Sequence, residues 1–229
     1  MDNKDSEKTK EELMKLARID QEHVREQYDK IANEYEHLIV DLAGYPDPIK
    51  ISEALEKLGV RKDVPILDFG CGTGLVGKFC IEKGYTNISG VDASPEMLKI
   101  AKERGYKELT EAFLGANKFP SELEGKFEVA ASAGAICAGH VSPDIFEDKL
   151  KCLKKIENED DKRYMMFVVL ESYINSSGHW DKIKELENQG KIEHLETLKF
   201  TKYENSESYS VDRFAPSIGC CYIYEVKKL

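Results

Sequence analysis

The residues most able to do chemistry lie near the middle of the chain, in Asp68-Phe69-Gly70-Cys71-Gly72-Thr73-Gly74. Glycines at alternate positions let the main chain bend sharply and let a ligand approach with no Cβ in the way. The bend follows a short apolar run over 66–69 and precedes a helical pattern over 75–83. It therefore sits beyond the carboxyl end of a buried strand, where open parallel sheets bind ligands. The amides at the start of the following helix point toward the same place. A second acid, Asp92, ends the next apolar run (87–92), 22 residues after Gly70. A carboxylate there can accept hydrogen bonds from both hydroxyls of a ribose. A glycine turn alone is often only a turn, and an Asp after a strand is often only a cap. Together, in this order, they imply a cofactor containing a nucleoside.

Charge distinguishes between two such cofactors. Gly72, Gly74 and Gly77 formally satisfy GxGxxG, the dinucleotide pattern. In a dinucleotide site this turn cradles a pyrophosphate, which Asp68 at the strand end would repel. The same carboxylate attracts an ammonium group. S-adenosylmethionine carries an ammonium and a sulfonium and no phosphate, and its carboxylate can use the amides of the bend. The pattern favours it over NAD.

The elements that must hold these residues follow from periodicity. Leu13, Leu16, Val24, Tyr28, Ile31, Tyr35 and Leu38 form one apolar stripe, on a single helix or on two with a break. Asp47-Pro48 opens another helix, with Asp47 as N-cap and Gly59 as the stop. Strands are expected at 66–69, 87–92, 107–113, 127–132 and 164–170. Helices are expected over 75–83, from Ser94-Pro95 to Gly105, from Ser142-Pro143 through Phe146, Leu150, Leu153 and Ile156, and over 180–189. Two late strands, 192–203 and 219–227, have no helix between them and should pair as an antiparallel hairpin. Alternation of strand and helix gives an α/β fold with a doubly wound sheet. The simplest organisation is an N-terminal helical cap over 1–60 and one unit over 61–229.

The 229 residues carry a formal net charge of -10, and 41% are hydrophobic. Such a surface repels a phosphate backbone, which disfavours general nucleic-acid binding. The six cysteines show no CxxC pair and no zinc spacing with histidine, so no metal site is expected. They read as thiols of a reducing compartment, with Cys220 and Cys221 on opposite faces of a strand. The charged start lacks a signal peptide's apolar core, and no apolar run is long enough for a membrane span. A cytoplasmic protein is expected.

The segments Ile66-Leu-Asp-Phe-Gly-Cys-Gly-Thr-Gly74 and Gly90-Val-Asp-Ala-Ser-Pro-Glu-Met-Leu98 resemble motif I and the following acidic motif of class I S-adenosylmethionine-dependent methyltransferases. Tyr106-Lys-Glu-Leu, Phe127-Glu-Val, Ala133-Gly-Ala135 and Gly139-His-Val141 add a similarity to the methyltransferase-like proteins named after the Williams-Beuren syndrome region. The resemblance implies a Rossmann-like seven-stranded sheet in the order 3-2-1-4-5-7-6, its last strand antiparallel. It also implies cofactor-binding roles. Asp68, Gly70, Cys71, Gly72 and Gly74 would surround the methionine end. Asp92 would hold the ribose, with Ala93 beside it. Met97 would lie on one side of the adenine, with Ala112 and Phe113 on the other. Ala133 and Gly134 would line the wall near the sulfonium. Tyr28 and Tyr35 resemble the YD..A..Y pattern of a cap that closes over such sites. Two departures stand out: Ala112-Phe113 lacks the Asp that often bonds the adenine amine, and Glu157-Asn-Glu-Asp-Asp161 replaces the usual Pro-Gly-Gly.

Several of these residues also have a structural reading. Tyr28 and Tyr35 lie one heptad apart on an apolar stripe and suit core packing as well as ligand contact. Met97 suits the core while touching a ligand, and Cys71 suits its place by small size. Methyl transfer from a sulfonium needs mainly an oriented acceptor and a dry site. A base is needed only when the acceptor carries a proton, and His140 is the candidate, against a role as a loop histidine. Glu171, Tyr173, His179-Trp180 and 209–216 are candidates for the acceptor wall or a lid. The expected function is methyl transfer to a small molecule. A non-catalytic cofactor-binding partner protein and an NAD-dependent oxidoreductase are the alternatives.

Overall fold

The computed structural model describes residues 23–42, 44–115, 119–137, 139–156, 158, 161–203 and 216–227. The expectations for Leu13, Leu16, most of the replaced turn at 157–161 and the segment 209–215 lie outside them. Seven strands form one sheet: β1 (Ile66–Phe69), β2 (Ile88–Asp92), β3 (Glu108–Glu111), β4 (Val129–Ala131), β5 (Tyr164–Leu170), β6 (Ile192–Lys202) and β7 (Ser217–Val226). Their order is β3-β2-β1-β4-β5-β7-β6. The first five strands are parallel, and β7 lies antiparallel between β5 and β6.

Strict alternation sends side chains to two cores. Leu67, Phe69, Ala130, Phe167 and Cys220 pack on one face, and Ile66, Val129, Ala131, Val168 and Cys221 on the other. The adjacent cysteines do point to opposite faces. Both faces are covered, so β1 and β5 are apolar at nearly every position, and each fully buried large side chain contributes about 1.5–3 kcal/mol. The covering helices are α2 (Asp47–Lys57), α3 (Leu75–Glu82), α4 (Pro95–Ala101), α5 (Ile145–Cys152), α6 (Glu171–Ser176) and α7 (His179–Asn188). The N-terminal stripe is broken: α1 (Val24–Ile31) is followed, after a turn, by a π-helical stretch, His37–Leu42. Ile31, Leu38 and Ile39 pack with Met97 and Tyr203 in a third, smaller core beside the sheet. No described helix is long and apolar enough to cross a membrane.

Some expected boundaries move. Asp47 does not cap α2; Pro46 holds the cap position, and the Asp47 carboxylate is fully buried. Lys202 Nζ donates to it at 2.5 Å, so a long-range ion pair has taken a residue that local pattern assigned to a helix end. Ser142 does not start a helix. Its hydroxyl donates to the Gly115 carbonyl and accepts from Asp144 N, and α5 begins three residues later. The helix also stops at Cys152, which leaves Leu153 buried beyond it and Ile156 exposed. The expected strand 127–132 shortens to three residues, with Phe127 bridged to Leu153. The short helix α6 had no signal in the sequence reading, because a six-residue helix leaves no periodicity to detect.

Candidate functional site

The bend after β1 is anchored from both strands. Gly70 N and Cys71 N both donate to the Val91 carbonyl, at 2.8 and 3.1 Å, tying the ends of β1 and β2 together. Gly70, Gly72 and Gly74 have φ of 69°, 53° and 88°, a region that side chains with a Cβ rarely adopt. At Gly70 space also forbids one: a Cβ there would meet the Ala135 Cβ at 2.8 Å. Asp92 ends β2 and turns its carboxylate toward the bend. Oδ2 accepts from Gly72 N and Oδ1 from Ser94 N, both at 2.9 Å. Burial raises the Asp92 pKa, while these amides and that of Ala93 pull it back down.

Asp68 is used differently. It is fully buried, and Oδ2 accepts from the Tyr106 hydroxyl at 2.7 Å. That hydroxyl accepts in turn from Gly77 N at 2.9 Å. Oδ1 has no hydrogen-bond partner among the described residues. Burial pushes the Asp68 carboxyl up to about 7. A Cβ at Gly77 would sit 2.3 Å from the Tyr106 ring. The third glycine of the formal GxGxxG pattern is thus a seat for Tyr106, and its amide is already committed to Tyr106.

A cavity of about 680 Å³ opens over this bend. That lies within the span of small-molecule sites, about 300–1,000 Å³. Gly70, Gly72, Asp92, Ala93 and Met97 line one side, and Ala112 and Phe113 another. Ala133, Gly134 and His140 come from the loop after β4, while Tyr28 and Tyr35 close over from the N-terminal helices. Twelve of the fifteen anticipated site residues therefore meet at one cavity. Asp68, Cys71 and Gly74 do not reach its wall. Cys71 is turned inward, where a Cβ at Gly90 would lie 2.8 Å from its Sγ, and burial pushes its thiol well up. Gly74 is packed beneath Tyr106 and Arg104. Phe113 keeps 42% of its surface exposed, and Met97 is buried.

His140 is buried, and its Nε2 lies 2.8 Å from the Tyr28 hydroxyl. The ring of Tyr28 also meets His140 edge-on at 5.5 Å and Tyr35 at 5.8 Å. Sequence reasoning missed what secures the helices above the cavity. Asp29 Oδ1 accepts from the Ser94 hydroxyl at 2.6 Å, Arg25 pairs with Glu111 at 2.9 Å, and Arg104 forks onto Glu36 at 2.7 and 2.8 Å. The Asp of the YD..A..Y pattern was the available signal for the first.

A second cavity, of about 170 Å³, shares Tyr28, Tyr35 and Gly134 with the first. Tyr45, Tyr173, Tyr203, Cys137 and Leu170 are among its walls, with Lys202 at its edge. Of the candidates for an acceptor wall or lid among the described residues, only Tyr173 lines either cavity. Glu171 pairs with Lys199 at 2.6 Å. His179 is buried beside Phe146, and Trp180 packs on Tyr222, so neither belongs to an exposed lid.

Residues 66–156 match the family described as "Methyltransferase domain". Methyltransferase-like protein 27 of Homo sapiens is 32% identical over 146 residues, which cover 60% of this chain and 59% of that protein. The ribosomal protein L11 methyltransferase of Thermosipho africanus is 25% identical over 66% of this chain and 52% of its own length. The chain therefore spans between a half and three fifths of these relatives. Among solved structures, a TehB-like methyltransferase of Corynebacterium glutamicum superposes with a TM-score of 0.56 at 16% identity, covering 87% of this chain and 98% of that one. Magnesium protoporphyrin IX methyltransferase of Synechocystis, solved with S-adenosylmethionine bound, gives 0.55 at 13% identity, covering 79% and 78%.

Residues 66–156 thus carry a methyltransferase domain match, and the fold around them is that of the class I methyltransferases. The strand order 3-2-1-4-5-7-6 is that of the fold expected from the resemblance. In this fold the large cavity lies beyond the carboxyl ends of β1, β2 and β4, where the order of strands reverses.

Proposed function

We propose that the protein is an S-adenosylmethionine-dependent methyltransferase acting on a small molecule. The observation that carries this is the Asp92 carboxylate, fixed by two amides and presented to a 680 Å³ cavity floored by bare glycine backbone. The lining fits the cofactor along its length. Asp92 suits the ribose hydroxyls, and Phe113 and Met97 offer apolar surfaces for a base. The small residues Ala133 and Gly134 leave room beside the reacting centre. Asp68 stands buried behind the floor, off the cavity wall, and its carboxylate favours an ammonium above it through its charge alone. The formal dinucleotide match loses support because the Gly77 amide, which would face a pyrophosphate, serves Tyr106.

The bound cofactor supplies a methyl group already activated on sulfur. The protein's own part is to seat it, exclude water under Tyr28 and Tyr35, and take up a proton if the acceptor carries one. With its proton on Nδ1, His140 presents Nε2 as an acceptor to the Tyr28 hydroxyl, which makes the pair suitable for that uptake. The net charge of -10 and the partly enclosed cavity favour a small acceptor over a nucleic acid.

Calorimetric titration with S-adenosylhomocysteine tests the reading. One saturable site is expected, together with a rise in thermal midpoint and no response to NADH. Binding of NADH with no heat from S-adenosylhomocysteine would overturn it.

A further inference from the structure

We infer that the 170 Å³ cavity is the acceptor subsite and that it takes a neutral single-ring phenol. This rests on the donor reading of the larger cavity and adds to it the chemical class of the second substrate.

Geometry comes first. The two cavities meet at Tyr28, Tyr35 and Gly134; Asp92 and Asp144 line the larger, and no described acid lines the smaller. Gly134 separates them with backbone alone. A Cβ there would lie 1.9 Å from the Tyr45 hydroxyl, so that hydroxyl packs directly on the dividing wall. In-line transfer needs donor and acceptor on either side of one narrow junction, and the two cavities offer that arrangement.

Size comes next. An apolar cavity of about 150 Å³ holds one benzene ring. A 170 Å³ space accommodates one ring with a substituent and excludes a fused bicycle.

Charge then restricts the class. The cation at its edge, Lys202, is already held by Asp47 at 2.5 Å, and its ammonium lies over the rings of Tyr45 and Tyr203 at 5.2 and 5.0 Å. Both partners of this pair are buried, so the cavity carries no net charge to offer a charged acceptor. Tyrosine rings and aliphatic side chains such as Leu170 dominate the walls. An uncharged aromatic ring suits them.

The nucleophile follows from the pair at the junction. Tyr28 faces both cavities and bonds His140, which faces the larger one. A phenol O–H at the junction can pass its proton to the Tyr28 oxygen as the Tyr28 proton moves to His140 Nε2. The phenol oxygen's lone pair forms the new O–CH3 bond, and the breaking C–S pair returns to sulfur.

Cys137 gives a readout that does not depend on turnover. It is half-buried on the wall of the smaller cavity only, while Cys71, Cys80, Cys152, Cys220 and Cys221 are buried. N-ethylmaleimide labelling, followed by intact mass, should therefore report Cys137 first. Phenol at roughly 10 mM, in line with the weak binding expected of so few atoms, should slow that labelling severalfold. Saturating S-adenosylhomocysteine, 2-naphthol, benzoate and benzylammonium should leave the rate unchanged. In Leu170→Trp, which crowds only the smaller cavity, phenol protection should vanish while S-adenosylhomocysteine still binds. No protection by phenol, equal protection by 2-naphthol, or stronger protection by benzoate or benzylammonium would overturn the proposal. So would complete protection by S-adenosylhomocysteine alone, which would make the small cavity part of the donor site. Normal S-adenosylhomocysteine binding without phenol protection sinks this proposal only. Absent S-adenosylhomocysteine binding sinks the donor reading beneath it.

Discussion

The two sides of the double cavity are built in opposite ways. The donor side is local: the bend at 70–74, Asp92 and Met97 fall within 28 residues, and the main chain does most of the work through amides and positive φ angles. The tyrosine side is assembled at long range. Tyr28 meets His140 across 112 positions, and Asp47 meets Lys202 across 155. A local site needs only a strand, a turn and a helix to form correctly. A long-range site needs the whole sheet in register first, so its integrity should track global stability much more closely.

The strongest way to break that contrast is Asp47→Ala. It strands the Lys202 ammonium in a buried position, and losing one partner of such a pair costs about 3–5 kcal/mol. Urea unfolding should show that loss. If the local side is independent, S-adenosylhomocysteine affinity in the folded fraction should change little. The converse is Asp92→Ala, which removes the acceptor for two backbone amides and, in the function proposed, for the ribose. Affinity should fall by on the order of a hundredfold, equivalent to about 3 kcal/mol, by calorimetry. A smaller loss than that from Tyr35→Ala would confirm that the donor side dominates binding.

A third test uses two buried groups beneath the donor side. Lys149 is fully buried over the Phe69 ring, at 4.5 Å, with no hydrogen-bond partner for Nζ among the described residues. Burial pulls its pKa down to about 7, while it pushes that of Asp68 up to about 7. The signs follow from proton counts in the two states. For Asp68 the folded state holds the extra proton between about pH 4 and 7, so stability falls as pH rises through that window. For Lys149 the unfolded state holds it between about pH 7 and 10.5, so stability rises there. Together they contribute a minimum near neutrality. Lys149→Met should remove the alkaline rise in urea midpoints and stabilise the fold at pH 7 by about 1 kcal/mol or more. A comparable effect is expected from Tyr106→Phe. It leaves Asp68 Oδ2 unpartnered at a cost of about 1–2 kcal/mol, and S-adenosylhomocysteine should then bind less well at pH 6 than at pH 8.

What the sequence disclosed divides along the same line. The doubly wound sheet and the position of the bend were legible because glycine spacing and strand–helix alternation are local signals, whereas the strand order came from the resemblance. So was the cavity role of Asp92, whose place at a strand end fixes where its carboxylate points. Asp68 is expected to face the ligand, yet it turns into the core, where Oδ2 accepts from Tyr106, and nothing in the local spacing announces that partner. Asp47 was read as a helix cap because its neighbours make it one locally, and only the closed sheet brings Lys202 to it. Ser142 fails as a cap for the same reason, since Gly115 reaches it from 27 positions away.

The position of β7 also bears on how the molecule is made. Because this strand lies between β5 and β6, residues 164–202 cannot complete their hydrogen bonding until residue 226 has left the ribosome. Until then β5 exposes an apolar edge, and the long β6 has no partner. The sheet can therefore close only after synthesis of β7, which pairs with β5 on one side and β6 on the other. Chaperone dependence and aggregation during expression should concentrate in that interval.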